Sequence, residues 1–191
     1  MSPRTKQQFE VMREKSREKI LAAALKLFAE KGYETTSVDE VVKRAKVSKG
    51  SAYHYFPSKE ALLRAVVANG LSAFGSLVEH VESARSPKQK VAAFINVSFD
   101  LLEADARVWK LYFSLLTQAT LPRSIRKMLE PMVGEMLVYM KRLFEQMGID
   151  DADGEARILA ALIDGVFLHY LLVGSNYPLS EMRRKILSRY A

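Results

Sequence analysis

The sequence predicts an all-α fold: a small three-helix unit built on a helix-turn-helix, followed by a larger helical domain. Apolar residues recur at three- and four-residue intervals throughout, and no stretch alternates as a half-buried strand would. Three serines, Ser37, Ser48 and Ser58, stand at helix starts within one short stretch. Breaks fall at Gly32, Pro57, Ser86-Pro87, Leu121-Pro122, Gly148 and the loop 174–178.

A first helix is expected from Arg17 to Lys31, burying Ile20, Ala24, Leu27 and Phe28 and ending at Gly32 as a left-handed C′ residue. Residues 1–16, with Arg4, Lys6, Arg13 and Lys15, read as a flexible basic arm; the alternatives are minor-groove entry and a merely frayed terminus. Ser37 with Glu40 forms a capping box that opens a helix at Val38, and Val38, Val41, Val42 and Ala45 share its inner face. Val47 plugs the turn. Ser48 caps the next helix, on which Ala52 and Phe56 point inward because they lie four apart. Lys49, Gly50, Ser51, Tyr53 and His54 are left mostly outward. Pro57 stops that helix. Ser58 caps a long one that buries Leu62 and Leu63 and continues past Phe74 and Leu77 towards Val81.

This arrangement suits duplex DNA. Clustered helix N-termini offer free N–H groups to phosphates. Lys43, Arg44, Lys46, Lys49 and Lys59 add cations, and Tyr53, His54 and Tyr55 add hydrogen-bonding rings. Taken singly, those rings are also what a small helical domain half-buries, and a lysine run is often only a solvated face. Charge distribution favours the first reading. The net charge is +7, and residues 1–70 hold 14 Lys and Arg against 8 Asp and Glu, whereas residues 71–191 hold 15 against 14.

Residues 17–66 resemble the DNA-binding domain of the TetR family of bacterial transcriptional regulators. The resemblance lies in REKILAAALKLFAEKGYETTS, VSKGSAYHYF and PSKEALL. It implies phosphate contacts from Thr36, Ser37, Ser48, Tyr53, Tyr55 and Lys59, and base-facing positions at Lys49, Gly50, Ser51 and His54. Two residues depart from the family pattern. Lys46 replaces a turn glycine where a left-handed backbone is needed, at a cost of order 1 kcal/mol, and adds a possible phosphate contact. Ala52 replaces a larger apolar residue, which bears on the angle of the recognition helix.

Later helices are expected at 87–104, 106–119, 122–147, 152–174 and 179–190. By resemblance, residues 67–191 form an effector-binding and dimerisation domain. Met128, Met132, Met136 and Met140 recur every four residues, and Phe94, Phe99, Trp109, Tyr112 and Phe113 lie on neighbouring helices. Adaptable methionines with aromatics suit a pocket for a small apolar or amphipathic effector, although the same stripe is compatible with plain core. Phe99, Trp109, Tyr112, Phe113, Met132, Met136 and Met140 are the expected effector residues. The family dimerises through its last two long helices, which here carry Asp164, Phe167, Leu168, Leu171, Leu172, Met182 and Ile186. From the sequence, Asp164 fits either an interface or a pocket.

No catalytic constellation is present. The chain has no cysteine, its three histidines have no metal-ligand spacing, and no phosphate-binding glycine loop or serine elbow occurs. No enzyme, metal or cofactor is expected. The absence of cysteine and of a signal-like N-terminus fits a cytoplasmic protein. The apolar stretch from Ile158 to Val173 reads as too short to cross a bilayer, so no membrane partner is expected. The expected function is a homodimeric repressor released from a near-palindromic double-stranded operator by its effector. An activator, a constitutive DNA binder and a protein-interaction module are the alternatives.

Overall fold

A computed structural model describes residues 6–118 and 121–191. Arg4 lies outside the described residues, as do the side chains of Lys6, Phe74 and Leu77. The helices are α1 (Lys6–Lys31), α2 (Val38–Ala45), α3 (Lys49–Tyr55), α4 (Lys59–Glu82), α5 (Pro87–Ala104), α6 (Ala106–Leu116), α7 (Arg123–Gln146), α8 (Ala152–Val173) and α9 (Leu179–Tyr190). Among the described residues there is no strand.

Helix α1 begins eleven residues before the expected Arg17, so residues 6–16 are not a free arm. Between Lys6 and Lys31 there is neither glycine nor proline, and Lys, Gln, Glu, Met and Arg all favour helix. Charge without apolar periodicity had concealed the helix. At its far end Gly32 takes a φ of 88°, as a C′ residue should. The other boundaries fall close to expectation, except that α6 stops at Leu116.

Two cores form. The first gathers Ile20, Phe28, Val41, Ala52, Phe56 and Leu63 from α1 to α4, and then continues into Leu111 and Leu115 of α6 and Ile125 and Leu129 of α7. The second joins α5 to α9 around Phe99, Trp109, Phe144, Leu159 and Phe167. Burying each such Leu or Phe contributes about 1.5–3 kcal/mol. Helix α6 therefore belongs to both cores, and Tyr112 packs against each. Polar ties reinforce the frame. Arg183 of α9 donates to the Asn96 carbonyl at 2.9 Å and pairs with Asp100 of α5.

Helix α8 departs from expectation in one respect. With its following turn, Ala152–Asn176 has a mean hydropathy of 1.8 over its most apolar window and is long enough to cross a membrane. Its inner side is accounted for by packing on α6, α7 and α9. Its outer side exposes Ile158, Leu162, Leu168, Leu172 and Val173.

Candidate nucleic-acid interface and candidate ligand cavity

The turn between α2 and α3 is built from caps. Ser37 Oγ accepts from the Glu40 amide at 3.2 Å, and the Glu40 carboxylate accepts from the Ser37 amide at 2.9 Å. Lys31 Nζ sits 2.6 Å from Glu40 and binds the end of α1 to the start of α2. Its hydrogen bond, with those from Ser37, lowers the Glu40 carboxyl to about 2. Lys46 closes α2 in the left-handed region at φ 55°. Ser48 and Ser58 accept from the amides of Ser51 and Ala61, at 3.1 Å and 3.0 Å.

The expected DNA-facing residues divide into two groups. Lys46, Ser48, Lys49, Gly50, Tyr53 and His54 are exposed along the turn and α3, with Ser51 half-buried among them. Ser37 is exposed but engaged in its capping box. Lys49 pairs with Asp39 of α2 at 2.8 Å, a link that must open before the lysine reaches a phosphate. A Cβ added at Gly50 would meet nothing within 4 Å, so packing does not demand glycine there.

Three expected phosphate contacts have other work. Thr36 is buried, and its hydroxyl donates to the Gly32 and Leu27 carbonyls at 2.8 Å and 3.3 Å. It fastens the α1–α2 loop to α1 and is not a surface hydroxyl. Lys59 donates to the Glu34 carbonyl at 2.9 Å and lies 4.4 Å from the Tyr33 ring centre. Tyr55 packs half-buried on the first core. Arg13, expected in a free basic arm, is instead carried by the α1 extension to within 3.0 Å of His54 Nε2. The unbroken run of helix-favouring residues before Arg17, without glycine or proline, was the signal that could have revealed it.

The second feature is a cavity of about 820 Å³ between α5, α6, α7 and α8. Trp109, Tyr112, Met132 and Met136 line it as expected, together with Met128 and Phe94. Met140, Phe99 and Phe113 do not. A four-residue repeat turns by about 40° per step on a helix of 3.6 residues per turn, so Met140 has rotated away from Met128 by roughly a third of a circle. It is buried in the second core. Phe99 is also buried there, edge-on to Phe167 at 5.1 Å, and Phe113 sits beside Trp109 and Tyr112 behind the cavity wall. Pro131 interrupts the hydrogen-bond ladder of α7 at this wall. A smaller cavity of about 410 Å³ lies between α1, α4 and α6 and shares Tyr112 and Met132.

Asp164 turns into the large cavity and not to the outer face of α8. Burial raises its pKa, and its charge adds to the burial that pushes Tyr112 up to about 12. Of the other expected interface residues, Phe167 and Ile186 belong to the chain's own core, and Leu171 and Met182 pack partly against it. Leu168 and Leu172 do face outward. Among the described residues no cluster of His, Cys, Asp and Glu could hold a metal ion.

Known proteins match both parts of this arrangement. A family model of bacterial regulatory proteins of the TetR family matches residues 20–66, and one of the C-terminal domain of BetI-type transcriptional repressors matches residues 87–191. The HTH-type transcriptional regulator BetI of Rhizobium meliloti (strain 1021) is 27% identical over 165 residues, covering 82% of this chain and 78% of its own length. The regulator FadR from Bacillus subtilis, in complex with stearoyl-CoA, superposes with a TM-score of 0.76 at 22% identity, over 90% of this chain and 95% of its own. A transcriptional regulator from Saccharomonospora viridis in complex with choline does so with a TM-score of 0.75 at 22% identity, over 91% and 94%. At such identities the superpositions speak for the fold alone. Because the second family model spans more than half of the sequence and the first falls on the capped turn, the chain belongs to the TetR family and is a DNA-binding transcription regulator, not an enzyme.

Proposed function

We propose that this regulator is a homodimeric repressor that leaves a near-palindromic operator when a small apolar or amphipathic molecule fills the large cavity. One observation carries the reading: α6 lines that cavity through Trp109 and Tyr112 and also packs into the core beneath the helix-turn-helix through Leu111 and Leu115. A ligand that moves α6 must move the small domain. It shifts the balance only by its difference in affinity for the DNA-competent and released states.

In this reading residues 17–66, with the α1 extension before them, grip DNA, and residues 67–191 bind effector and partner. Helix α3 enters the major groove with Lys49, Gly50, Ser51 and His54 towards the bases, while Lys46, Ser48 and Tyr53 meet phosphates. The apolar outer face of α8 meets its copy across a two-fold axis, so a membrane is not needed to cover it. The protein works in the cytoplasm, where its operator is.

Selection of bound duplexes from a random pool tests the reading. The expected product is an inverted repeat with half-sites about 34–36 Å apart, or a multiple of that, bound by two protomers. A single half-site, or no enrichment, overturns it. Enrichment of the repeat without release by any cavity-filling compound would favour a constitutive binder.

A further inference from the structure

The fold does not choose the ligand, since neighbours of the same architecture hold stearoyl-CoA and choline. The lining residues must. The charged groups on the large cavity are Asp164, Glu135 and Arg157. Arg157 is exposed, and its guanidinium is bound to Asp153 at 2.8 Å. Glu135 is exposed at the rim. Asp164 is half-buried, and among the described residues no hydrogen bond or ion pair compensates it.

Most of the remaining lining is aromatic and apolar, and Tyr112 is near enough to feel the Asp164 charge. Trp109 and Tyr112 come from α6, Phe94 from α5 and Tyr139 from α7. A carboxylate removed from water among such groups is costly unless a counter-charge arrives. Ring faces attract cations, most strongly where water is excluded. Among the described lining residues none offers an unengaged cation to a carboxylate or phosphate, so an anionic ligand would meet Asp164 without compensation.

We propose that the cavity is a receptor for organic cations with a bulky apolar body, whose positive centre sits against the Asp164 carboxylate. The apolar body follows from size: a compact ammonium ion leaves most of about 820 Å³ unfilled. The proposal rests on the reading of this cavity as the effector site, but its test is separable from that reading.

The protein contains one tryptophan, Trp109, on the cavity wall, so its fluorescence reports entry directly. Tetraphenylphosphonium and tetraphenylborate have nearly the same shape and opposite charge. Titrating each into the full-length protein should show the cation binding at least about tenfold more tightly. Asp164→Asn should erase that gap, while Asp164→Glu should keep most of it and control for folding. Equal affinities, a preference for the borate, no binding of either ion, or a cation preference that survives Asp164→Asn would each overturn the proposal. Operator binding is then measured with tetraphenylphosphonium present. Cation binding through Asp164 that leaves the operator complex intact upholds the receptor and removes the effector reading. Operator release by a neutral compound, with no cation preference, does the reverse.

Discussion

Arg13 donates from its guanidinium to Nε2 of His54 across 3.0 Å, joining the first turns of α1 to the recognition helix. A guanidinium cannot accept, so Nε2 supplies the lone pair and the ring proton rests on Nδ1. In the proposed docking His54 would meet the groove as a donor. His54→Ala should lose about 1–3 kcal/mol of discrimination at one base position, the worth of a good base contact. Arg13→Ala should blur the preference at that same position by freeing the tautomer. Competition binding on single-base operator variants measures both, and an unchanged preference in Arg13→Ala means that the link does nothing on DNA.

Gly50 has room that the fold does not use. A methyl group there meets no neighbour within 4 Å, and the residue is outside the left-handed region. Gly50→Ala should raise stability by up to about 1 kcal/mol, because alanine loses less backbone freedom than glycine on folding. In the proposed docking operator affinity should fall, since the added carbon would stand where a base edge comes. Melting and gel-shift titrations read the two effects separately, and full affinity in Gly50→Ala would turn this face away from DNA.

Lys46 is a non-glycine residue at φ 55°. Lys46→Gly relieves that conformation and should stabilise the domain by about 1 kcal/mol. It also removes an exposed cation. If that cation meets a phosphate, the slope of log affinity against log salt should become shallower by about one. Greater stability with an unchanged slope would leave Lys46 only a turn residue.

The capping-box carboxylate gives a pH dependence of known sign. Glu40 ionises at about 2 in the folded protein, against an ordinary value of 4.5, chiefly through its hydrogen bond from Lys31. Above 4.5 both folded and unfolded chains carry the charge, and the contribution is complete. As pH falls from 4.5 towards 2, the unfolded chain takes up its proton first and stability declines. Glu40→Gln should flatten that limb in urea midpoints measured from pH 6 to pH 2. Because the pair is exposed, added salt should flatten it too. An acid limb identical in both proteins would remove Glu40 as its source.

Local rules accounted for most of the helix boundaries. Ser37, Ser48 and Ser58 mark their own helices because a cap is made with an amide three residues away. Orientation across the bundle was less legible. Met140 left the cavity because a four-residue stripe drifts around the helix. Thr36 and Phe167 were expected at surfaces because partners that bury them, the Leu27 carbonyl of α1 and the rings of Phe99 and Trp109, lie in other elements. Asp164 fitted two environments equally until the neighbouring helices were in place.

The outer face of α8 is where the proposed second copy would sit. Ile158, Leu162, Leu168 and Leu172 follow one helical stripe, and Leu172 is 84% exposed. In a two-fold interface each residue near the axis meets its own copy, so one introduced charge becomes two that repel. Leu168→Glu with Leu172→Glu should therefore yield a folded monomer by sedimentation, with unchanged helicity, because neither side chain supports the chain's own core. Operator affinity should collapse with it, since one protomer reaches only one half-site. Phe167→Ala is the contrasting change. That ring is fully buried between Phe99 and Trp109, and its loss should cost about 3–5 kcal/mol of stability. A doubly charged variant that still sediments as a dimer would place the partner on another face.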